Sequence, residues 1–437
     1  MRGPQPARGL QTSASATEPH WCRRPQRLPS RQSTAAFHDT VVAQTQTAWE
    51  TYPQRQLRLA KLGAEPEEDT RCFFASDNVR GVLPEVMEAL AEANRPGTTP
   101  SYGADPLTAE ACAAVRRWLC VGDDADVTPV VSGIASDGLA LAPLVPPTGA
   151  VYCHRESHVY EWQANSTGFY TGGAMLFPLP GEGGKLTPAV LEAALSVPGT
   201  SYRPDKSAVS ITQPTECGTV YTPAEVAAIA TVAHAAGCVL HVDGARFANA
   251  VLATGADPAD LTWRAGVDVL SLGTTKGGTM AAEVVVFFSS PEKTAAAMED
   301  FQRRQKRAGH VLSKLRFVSA QLLAYFEHGG RDGKGLWRQS AGHSNEAAAA
   351  LAKGLLEAAR PELALRLGHP VQTNQVFMVV SNSCPVGQAA LAALCAPPVT
   401  AVPWHLDGLG PDEVCLRFVT AFNTTPEEIA AAVQAVS

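Results

Sequence analysis

The sequence predicts an α/β fold in which a mostly parallel central sheet, flanked by helices, is followed by a smaller C-terminal α+β domain. From Cys72 onward, short apolar runs of strand length alternate with helical patterns, which is typical of βαβ units. After about Ser290 the pattern changes to long helices and then to a short strand-helix-strand-helix series. With 437 residues, 45% hydrophobic and 18% charged, the chain can bury the cores of two or three domains.

Seven apolar runs predict the strands of the central sheet, and the segments between them keep helical spacing. The predicted strands are residues 127–132, 150–154, 175–179, 208–212, 239–243, 267–272 and 283–288. The clearest helices between them are residues 109–119, 188–195 and 223–236. In such sheets the crossovers are right-handed, and ligands bind beyond the carboxyl ends of the strands.

The C-terminal part predicts a separate small domain. Two long helices, at residues 294–323 and 344–359, precede a compact tail. In that tail, strands at 375–380 and 414–419 alternate with helices at 387–394 and 426–436. We therefore predict an N-terminal extension at 1–70, a large α/β domain at 71–325 and a small α+β domain at 326–437.

The N-terminal extension differs in composition from the rest of the chain. Residues 1–36 contain six arginines and a single acidic residue, Glu18, among Ser, Thr, Ala, Gln and Pro. This composition is typical of an organellar transit peptide, and a disordered tail or a wrongly assigned start are the alternatives. Residues 37–70 look helical or irregular. The expected location is cytoplasmic, or mitochondrial or plastid if the extension is a transit peptide.

Charge and composition exclude several classes of function. A net charge of -7 argues against a nucleic-acid partner, whose phosphates require a basic face. No apolar stretch approaches the roughly 18 residues that cross a bilayer, so we expect a soluble protein without a membrane partner. The ten cysteines include no C-x-x-C pair, which favours a reducing compartment and argues against a zinc ribbon.

The chemistry is indicated by a lysine and an aspartate at the ends of neighbouring predicted strands. Lys276 follows the strand at 267–272, and Asp243 ends the strand before it. A partly desolvated lysine amine can form a Schiff base, and a carboxylate can keep a pyridine nitrogen protonated so that the ring acts as an electron sink. The pair therefore favours pyridoxal phosphate as cofactor. A solvated lysine and a helix-capping aspartate are the alternatives.

Other sites are less well supported by the sequence. Gly133 begins a helix directly after the first predicted strand, and the free N–H groups of such a turn suit a phosphate. His154, His158 and Glu161 could share a helix face, but no convincing third metal ligand accompanies the histidines, so no metal is predicted. The motifs of P-loop, dinucleotide-binding and zinc-protease sites are absent from the sequence.

Together these stretches resemble the low-specificity L-threonine aldolases, which belong to the aromatic amino acid β-eliminating lyase/threonine aldolase family of fold-type I pyridoxal phosphate enzymes. The resemblance extends over about residues 73–422. It rests on Phe74-Ala-Ser76-Asp-Asn78, Pro100-Ser-Tyr102-Gly-Ala-Asp105-Pro, Cys153-His154-Arg-Glu-Ser-His158-Val, Gly184-Lys-Leu-Thr-Pro188, Thr215-Glu216-Cys-Gly-Thr-Val-Tyr221, Asp243-Gly-Ala-Arg246, Gly273-Thr-Thr-Lys276-Gly and Leu416-Arg417-Phe-Val-Thr.

The resemblance implies roles for individual residues. Lys276 would form the imine with pyridoxal phosphate, Asp243 would bind the pyridine nitrogen and His158 would stack on the ring and assist catalysis. Gly133 and Ile134 would lie in the phosphate-binding turn.

The same resemblance implies a substrate site. Ser76, Arg246 and Arg417 match the family's clamp for the substrate carboxylate, which guanidinium groups can bind bidentately. Arg246 would contact the cofactor as well. Tyr102 lies in a segment that matches an active-site loop.

One departure from the family pattern concerns the phosphate turn. Ile134 stands where the family usually has threonine, and Asp137 where it usually has asparagine. The lost hydroxyl donor would cost about 0.5–1.5 kcal/mol of cofactor binding, and the acid would repel the phosphate unless it turns away to cap the helix. Ser132 or Ser136 could compensate.

The resemblance implies cleavage of β-hydroxy-α-amino acids such as L-threonine to glycine and an aldehyde. Two alternatives stay open. One is β-elimination by an amino acid lyase on the same scaffold, and the other is a catalytically silent protein with this fold. Fold-type I enzymes generally build their sites between subunits, so the resemblance also implies a homodimer or homotetramer.

Overall fold

The computed structural model describes residues 71–95, 97–123, 125–288, 291–328 and 335–437. The predictions for residues 1–70, including a transit peptide or disordered tail, lie outside the described residues. All described ranges belong to one unit, Pro66–Ser437.

The central sheet has seven strands and confirms the prediction of a mostly parallel arrangement. The strands are β1 (Asp126–Val130), β2 (Gly149–His154), β3 (Met175–Leu179), β4 (Asp205–Thr212), β5 (Val239–Gly244), β6 (Val269–Gly273) and β7 (Glu283–Phe287). Their order across the sheet is β1-β7-β6-β5-β4-β2-β3. Neighbours from β6 to β3 are parallel, whereas β7 runs antiparallel to both β6 and β1.

The inner strands are buried along almost their whole length because helices cover both faces of the sheet. Every residue of β2, β6 and β7 is buried, which explains why these strands read as continuous apolar runs rather than alternating ones. The largest core cluster joins side chains of β4 to β7 to the surrounding helices. This burial fixes the strand register, and with it the position of each strand end.

The helices of this region begin at capping residues and prolines that the sequence marks clearly. They are α1 (Pro84–Ala93), α2 (Pro106–Trp118), α3 (Gly133–Leu141), α4 (His158–Glu161), α5 (Ser166–Thr171), α6 (Pro188–Leu195), α7 (Pro223–Ala235) and α8 (Phe247–Thr254). At α7, Thr222 and Glu225 form a capping box. At α2, the Asp105 side chain accepts the N–H of Thr108, so this helix begins three residues before the predicted start.

The predicted helix at 294–323 is wrong, because two helices occupy this segment. They are α9 (Pro291–Arg307) and α10 (Arg316–Glu327). Gly309 has a φ of +80°, and the N–H of His310 donates to the carbonyl of Gln305 at 2.9 Å, as in a Schellman C-cap. A glycine in the left-handed conformation therefore ends α9.

A second, antiparallel sheet of four strands lies in the C-terminal part. Its strands are β8 (Arg366–Leu367), β9 (Gln375–Ser381), β10 (Val402–Trp404) and β11 (Glu413–Val419), in the order β10-β11-β9-β8. The helices here are α11 (Leu336–Ala358), α12 (Pro385–Cys395) and α13 (Pro426–Gln434). The predicted strands and helices of the tail are confirmed. The two- and three-residue strands were not predicted, being too short for a periodic pattern, and α11 begins eight residues before the predicted start.

Within the described ranges, none of the helices combines the length and hydrophobicity that a transmembrane span requires.

Candidate active site

A cavity of about 380 Å³ opens at the carboxyl ends of the parallel strands. Thr212 ends β4 and Asp243 lies near the end of β5, while Lys276 follows β6. Glu283 reaches the same edge because β7 runs in the opposite direction and begins there. The remaining lining residues used below are Asn78, Gly133, Ile134, Asp137, His158, Gln163, Glu216, Ala245, Arg246 and Thr275.

Lys276 lies in a short 3-10 helix, Thr275–Gly277, directly after β6. Its side chain is half-buried, and its amine makes no hydrogen bond or ion pair with the described residues. The ammonium charge is close enough to lower the pKa of Asp77 and to oppose the rise in the pKa of Asp137. The amine is thus surrounded by acids but is not paired with any one of them.

Asp243 is buried, with 3% of its surface exposed, at the end of a strand whose polar side chains share one face. One carboxylate oxygen accepts the N–H of Ala245 at 3.0 Å. Two residues earlier, His241 is hydrogen-bonded to Ser210 and Ser271, each at 2.9 Å. Burial lowers the pKa of His241 to about 4, so this histidine is neutral beside Asp243.

His158 begins α4, and its ring lines the cavity. Its Nδ1 lies 3.0 Å from Nε2 of Gln163, and its backbone N–H donates to Oε1 of Glu216 at 2.5 Å. Burial lowers the pKa of His158, and the charge of Asp243 opposes that effect. His154 points elsewhere, with its Nε2 placed 3.1 Å from the carbonyl of Gly181.

Gly133 and Ile134 form the first turn of α3, which confirms the predicted helix start after the first strand. Ser132 is the N-cap residue, with φ -148° and ψ 134°, but its side chain donates and accepts no capping bond. Ile134 is 43% exposed at the cavity. The hydroxyl of Ser136 is buried and has no partner in the described part of the chain.

Asp137 does not cap the helix but turns inward, so the capping that would remove its repulsion of the phosphate is not found. Its Oδ2 accepts a hydrogen bond from Gln163 at 2.7 Å, and its Oδ1 lies 3.7 Å from Nε2 of His241. Burial, together with the nearby charge of Asp243, raises the pKa of Asp137 well above its usual range. The carboxyl group of Asp137 is bound by Gln163, which lies just before α5. The sequence of α3 alone does not reveal this contact.

Arg246 forms a salt bridge with Asp77, an acid that was not predicted as a site residue. Its Nε donates to Oδ2 of Asp77 at 2.6 Å and its Nη2 donates to Oδ1 at 3.0 Å. Burial alone would raise the pKa of Asp77, but the charge and hydrogen bonds of Arg246 hold it below its usual value. Asn374 adds a hydrogen bond at 3.2 Å. The sequence feature that could have indicated Asp77 is its position directly after Ser76 in the motif Phe74-Ala-Ser76-Asp-Asn78.

Ser76 and Arg417 lie near Arg246 but do not line the cavity. The Ser76 hydroxyl accepts the N–H of Asn78 at 3.2 Å. Arg417, on β11, donates to the carbonyl of Ala75 at 3.3 Å and lies 4.1 Å above the ring of Trp404. Burial and the charge of Arg246 lower the pKa of Arg417 to about 10.

Tyr102 lies apart from the cavity-lining residues. It is 56% exposed, its φ is +58°, and its backbone N–H donates to the carbonyl of Ser313. Lys306 lies 5.1 Å from its ring centroid. This chain alone therefore does not bring Tyr102 to the cavity.

Two further acids of the cavity were not predicted as site residues. Glu216 binds the hydroxyl of Thr212 at 3.1 Å, and its Oε2 is buried without a partner among the described residues. Burial, and next the charge of Asp243, raise the pKa of Glu216 to about 8. Burial raises the pKa of Glu283 to about 7. The sequence feature that could have indicated Glu283 is its position as the single acid at the start of the apolar run of β7.

No group of three or more His, Cys, Asp or Glu side chains in the described ranges could hold a metal ion.

Known proteins of one family match most of this chain. The family model described as beta-eliminating lyase matches residues 74–383. The chain belongs to the beta-eliminating lyase family. Low specificity L-threonine aldolases of Pseudomonas sp. and Pseudomonas aeruginosa are each 38% identical to it over 310 residues, 71% of this chain and 84% of theirs. Members of this family are lyases that depend on pyridoxal phosphate. This chain is therefore a lyase that depends on pyridoxal phosphate.

A solved structure shows the same fold. The threonine aldolase of Leishmania major superposes with a TM-score of 0.71 at 24% identity, covering 83% of this chain and 98% of its own. The small antiparallel sheet and the larger, mostly parallel sheet thus belong to the threonine aldolase fold.

The residues of the cavity fit pyridoxal phosphate. Lys276 offers an amine that no described side chain occupies, and Asp243 offers a buried carboxylate. The first turn of α3 offers helix N–H groups for a phosphate, and Ser132, Gly133 and Ile134 of this turn line the cavity. These are the donor types that such a cofactor requires.

Proposed function

We propose that this protein cleaves L-threonine, L-allo-threonine or related β-hydroxy-α-amino acids to glycine and an aldehyde. The observation that carries the proposal is the placement of Lys276 and Asp243 on one cavity at the sheet edge, in a chain 38% identical to low specificity L-threonine aldolases. When bound, pyridoxal phosphate supplies an electron sink for the bond broken at the substrate Cα. Lys276 would hold the cofactor covalently, and Asp243 would keep its pyridine nitrogen protonated.

We assign the substrate carboxylate to Ser76, Arg246 and Arg417. Asp77 occupies Nε and Nη2 of Arg246, which leaves Nη1 for another acceptor. The buried Nε of Arg417 has no partner in the described chain, which supports a second acceptor there. Two guanidinium groups fix the plane of a carboxylate, and this plane decides which Cα bond is weakened. Tyr102 would take part through the loop that the family resemblance assigns to the site.

We assign proton removal from the β-hydroxyl to a base at or near His158, which acts directly or through water. His158 lines the cavity, and burial keeps its ring neutral near pH 7 by lowering its pKa. General-base assistance of this kind typically contributes about 10²–10⁴-fold in rate. Gly133 and Ile134 would contact the cofactor phosphate through the turn of α3.

The rival reaction is β-elimination on the same scaffold, which the family's name favours. Incubation of the purified protein with L-threonine and L-serine separates the two reactions. Glycine and an aldehyde are the products of the proposed reaction, whereas ammonia and a keto acid indicate elimination. A protein that stays colourless and inactive after pyridoxal phosphate is added would contradict the proposed function.

We also propose a homodimer or homotetramer. Exposed large apolar side chains on and beside the short helices α4 and α5 support a contact surface there, with Trp162 53% and Phe169 77% exposed. Light scattering coupled to size-exclusion chromatography tests this, and a monomer at micromolar concentration contradicts it. The division into domains 71–325 and 326–437, and a cytoplasmic or organellar location, remain predictions.

A further inference from the structure

A row of polar side chains connects Asp137 to the ring of His158. Gln163 stands between them and is 5% exposed. Its Nε2 lies 2.7 Å from Oδ2 of Asp137 and 3.0 Å from Nδ1 of His158. Its Oε1 accepts the hydroxyl of Ser166 at 2.9 Å. One amide nitrogen therefore contacts both the buried acid and the imidazole.

This arrangement determines the tautomer of His158. An amide nitrogen only donates, so Gln163 gives one hydrogen to ionised Asp137 and the other to Nδ1 of His158. Nδ1 must then accept, and the proton of the neutral ring sits on Nε2. In this state Nε2 donates hydrogen bonds and cannot take a proton.

A second arrangement fills the same contacts when Asp137 carries a proton. The amide of Gln163 then turns over, and its oxygen accepts both the O–H of Asp137 and the Nδ1–H of His158. The amide nitrogen donates to Ser166, whose hydroxyl can either donate or accept a hydrogen bond. Nε2 of His158 now has a free lone pair, and the ring can accept the proton of a substrate hydroxyl.

We propose that Asp137, acting through Gln163, sets which nitrogen of His158 carries the proton, so that His158 accepts a proton from substrate only while Asp137 is neutral. Asp137 and Gln163 are positioning residues in this scheme, and the scheme rests on the proposed function. In the transfer, the hydroxyl proton moves to Nε2 and the carbonyl of the aldehyde forms as the Cα–Cβ bond breaks, while Nδ1–H stays bound to the amide oxygen. The electron pair of the broken bond stays on Cα, where bound pyridoxal phosphate would delocalise it. The proton on Nε2 then passes to Cα, which completes glycine.

Burial and the nearby carboxylate of Asp243 favour a neutral Asp137 by raising its pKa. The hydrogen bond from Gln163 and the charge of Lys276 oppose that rise. His241 is the other titratable ring near Asp137 and is held neutral by burial. His158 itself is approached by the charges of Asp243, Lys276, Arg246 and Arg417 and, through its backbone, by Glu216.

The first test compares pH profiles of kcat for L-threonine cleavage by the protein loaded with pyridoxal phosphate. Wild type should lose activity at high pH as Asp137 ionises, by about ten-fold or more. Asp137→Asn cannot ionise, so the part of that loss due to Asp137 should disappear. Gln163→Met breaks the row and should lower kcat by about ten-fold with little change in KM.

Gln163→Glu is the conservative control for the positioning role. A glutamate oxygen can accept Nδ1–H, as the turned amide does, so with Asp137→Asn present it should restore kcat to within about three-fold of wild type. Equal losses in Gln163→Met and in this double variant would indicate a purely structural role and overturn the proposal. An unchanged high-pH limb in Asp137→Asn would overturn it as well.

A second readout does not depend on turnover. Nitrogen-15 solid-state NMR of histidine-labelled, cofactor-loaded protein reports the tautomer of His158, assigned by its loss in His158→Asn. The signal should change from the Nδ1–H to the Nε2–H form as pH rises in wild type and should not change in Asp137→Asn. If the tautomer of His158 in wild type does not change with pH, the inference is refuted even when threonine is cleaved. If the tautomer changes as expected but threonine is not cleaved, only the proposed function is refuted.

Discussion

Asp77 holds Arg246 through two parallel hydrogen bonds of 2.6 and 3.0 Å, although the two residues are 169 positions apart in the sequence. The acid side chain is 1% exposed and the guanidinium 16% exposed, so the pair is shielded from solvent. The orientation of the Arg246 guanidinium is therefore fixed before any substrate binds. Asp77 acts on the site through Arg246.

Replacement of Asp77 tests this relationship. We expect Asp77→Ala to lower the free energy of unfolding by about 3 kcal/mol, because it leaves a buried guanidinium unpaired. KM for L-threonine should rise by about ten-fold as Arg246 loses its orientation. Urea denaturation and steady-state kinetics measure the two effects. Glu299→Gln, which breaks an exposed pair with Arg303, should change the unfolding free energy by about 0–1 kcal/mol.

Removal of the cavity amine tests the covalent role of Lys276. We expect Lys276→Ala to lose the visible absorbance band of the bound cofactor together with threonine cleavage, because no other lysine of the described residues lines the cavity. Lys353→Ala is the matched control, since its side chain is 73% exposed and pairs only weakly with Glu357. A Lys276→Ala protein that keeps both band and activity contradicts the assignment.

Arg417→Lys probes the second guanidinium of the clamp. A lysine cannot bind a carboxylate bidentately or stack on Trp404 as the planar guanidinium does, so we expect KM for L-threonine to rise by about ten-fold or more. The folded state should survive, because a cation and a long side chain are retained. Arg366→Lys on the exposed end of the same sheet, where Arg366 pairs with Glu413, should leave the kinetics unchanged.

The buried acids predict a dependence of stability on pH. The pKa of Glu283 is raised from 4.5 to about 7 and that of Glu216 from 4.5 to about 8. Since a raised carboxyl pKa disfavours ionisation in the folded state, their stabilisation is complete below pH 4.5 and is lost as pH rises through 7 and 8. Urea denaturation of cofactor-free protein from pH 5 to 9 should show this decline.

Glu283→Gln isolates one contribution to that decline. The variant removes the ionisation, so its unfolding free energy should fall less between pH 5 and 8, by at most about 3 kcal/mol relative to wild type. A decline identical to that of wild type would mean that Glu283 does not ionise in this range.

Local patterns in the sequence predicted the sheet, because each inner strand is a short apolar run and its end marks the cavity. Lys276 and Asp243 could be found in this way, since one follows a strand and the other ends one, whereas the role of His158 was predicted from the family resemblance. The pairing of Asp77 with Arg246 could not, because it depends on how segments distant in sequence pack. The break at Gly309 was missed because one glycine in a polar helix has no distinctive pattern. Asp137 was noticed, but its inward direction depends on Gln163.

The antiparallel course of β7 has a consequence for tolerance to insertions. Its first residue, Glu283, pairs with Gly273 at the end of β6, and a nine-residue connection of residues 274–282 carries Lys276 between them. If one added residue in this connection shifted the register, every side chain of β7 would move to the opposite face of the sheet. The buried acid would leave the cavity edge while the lysine stayed, so the length of this short connection couples two groups of the site.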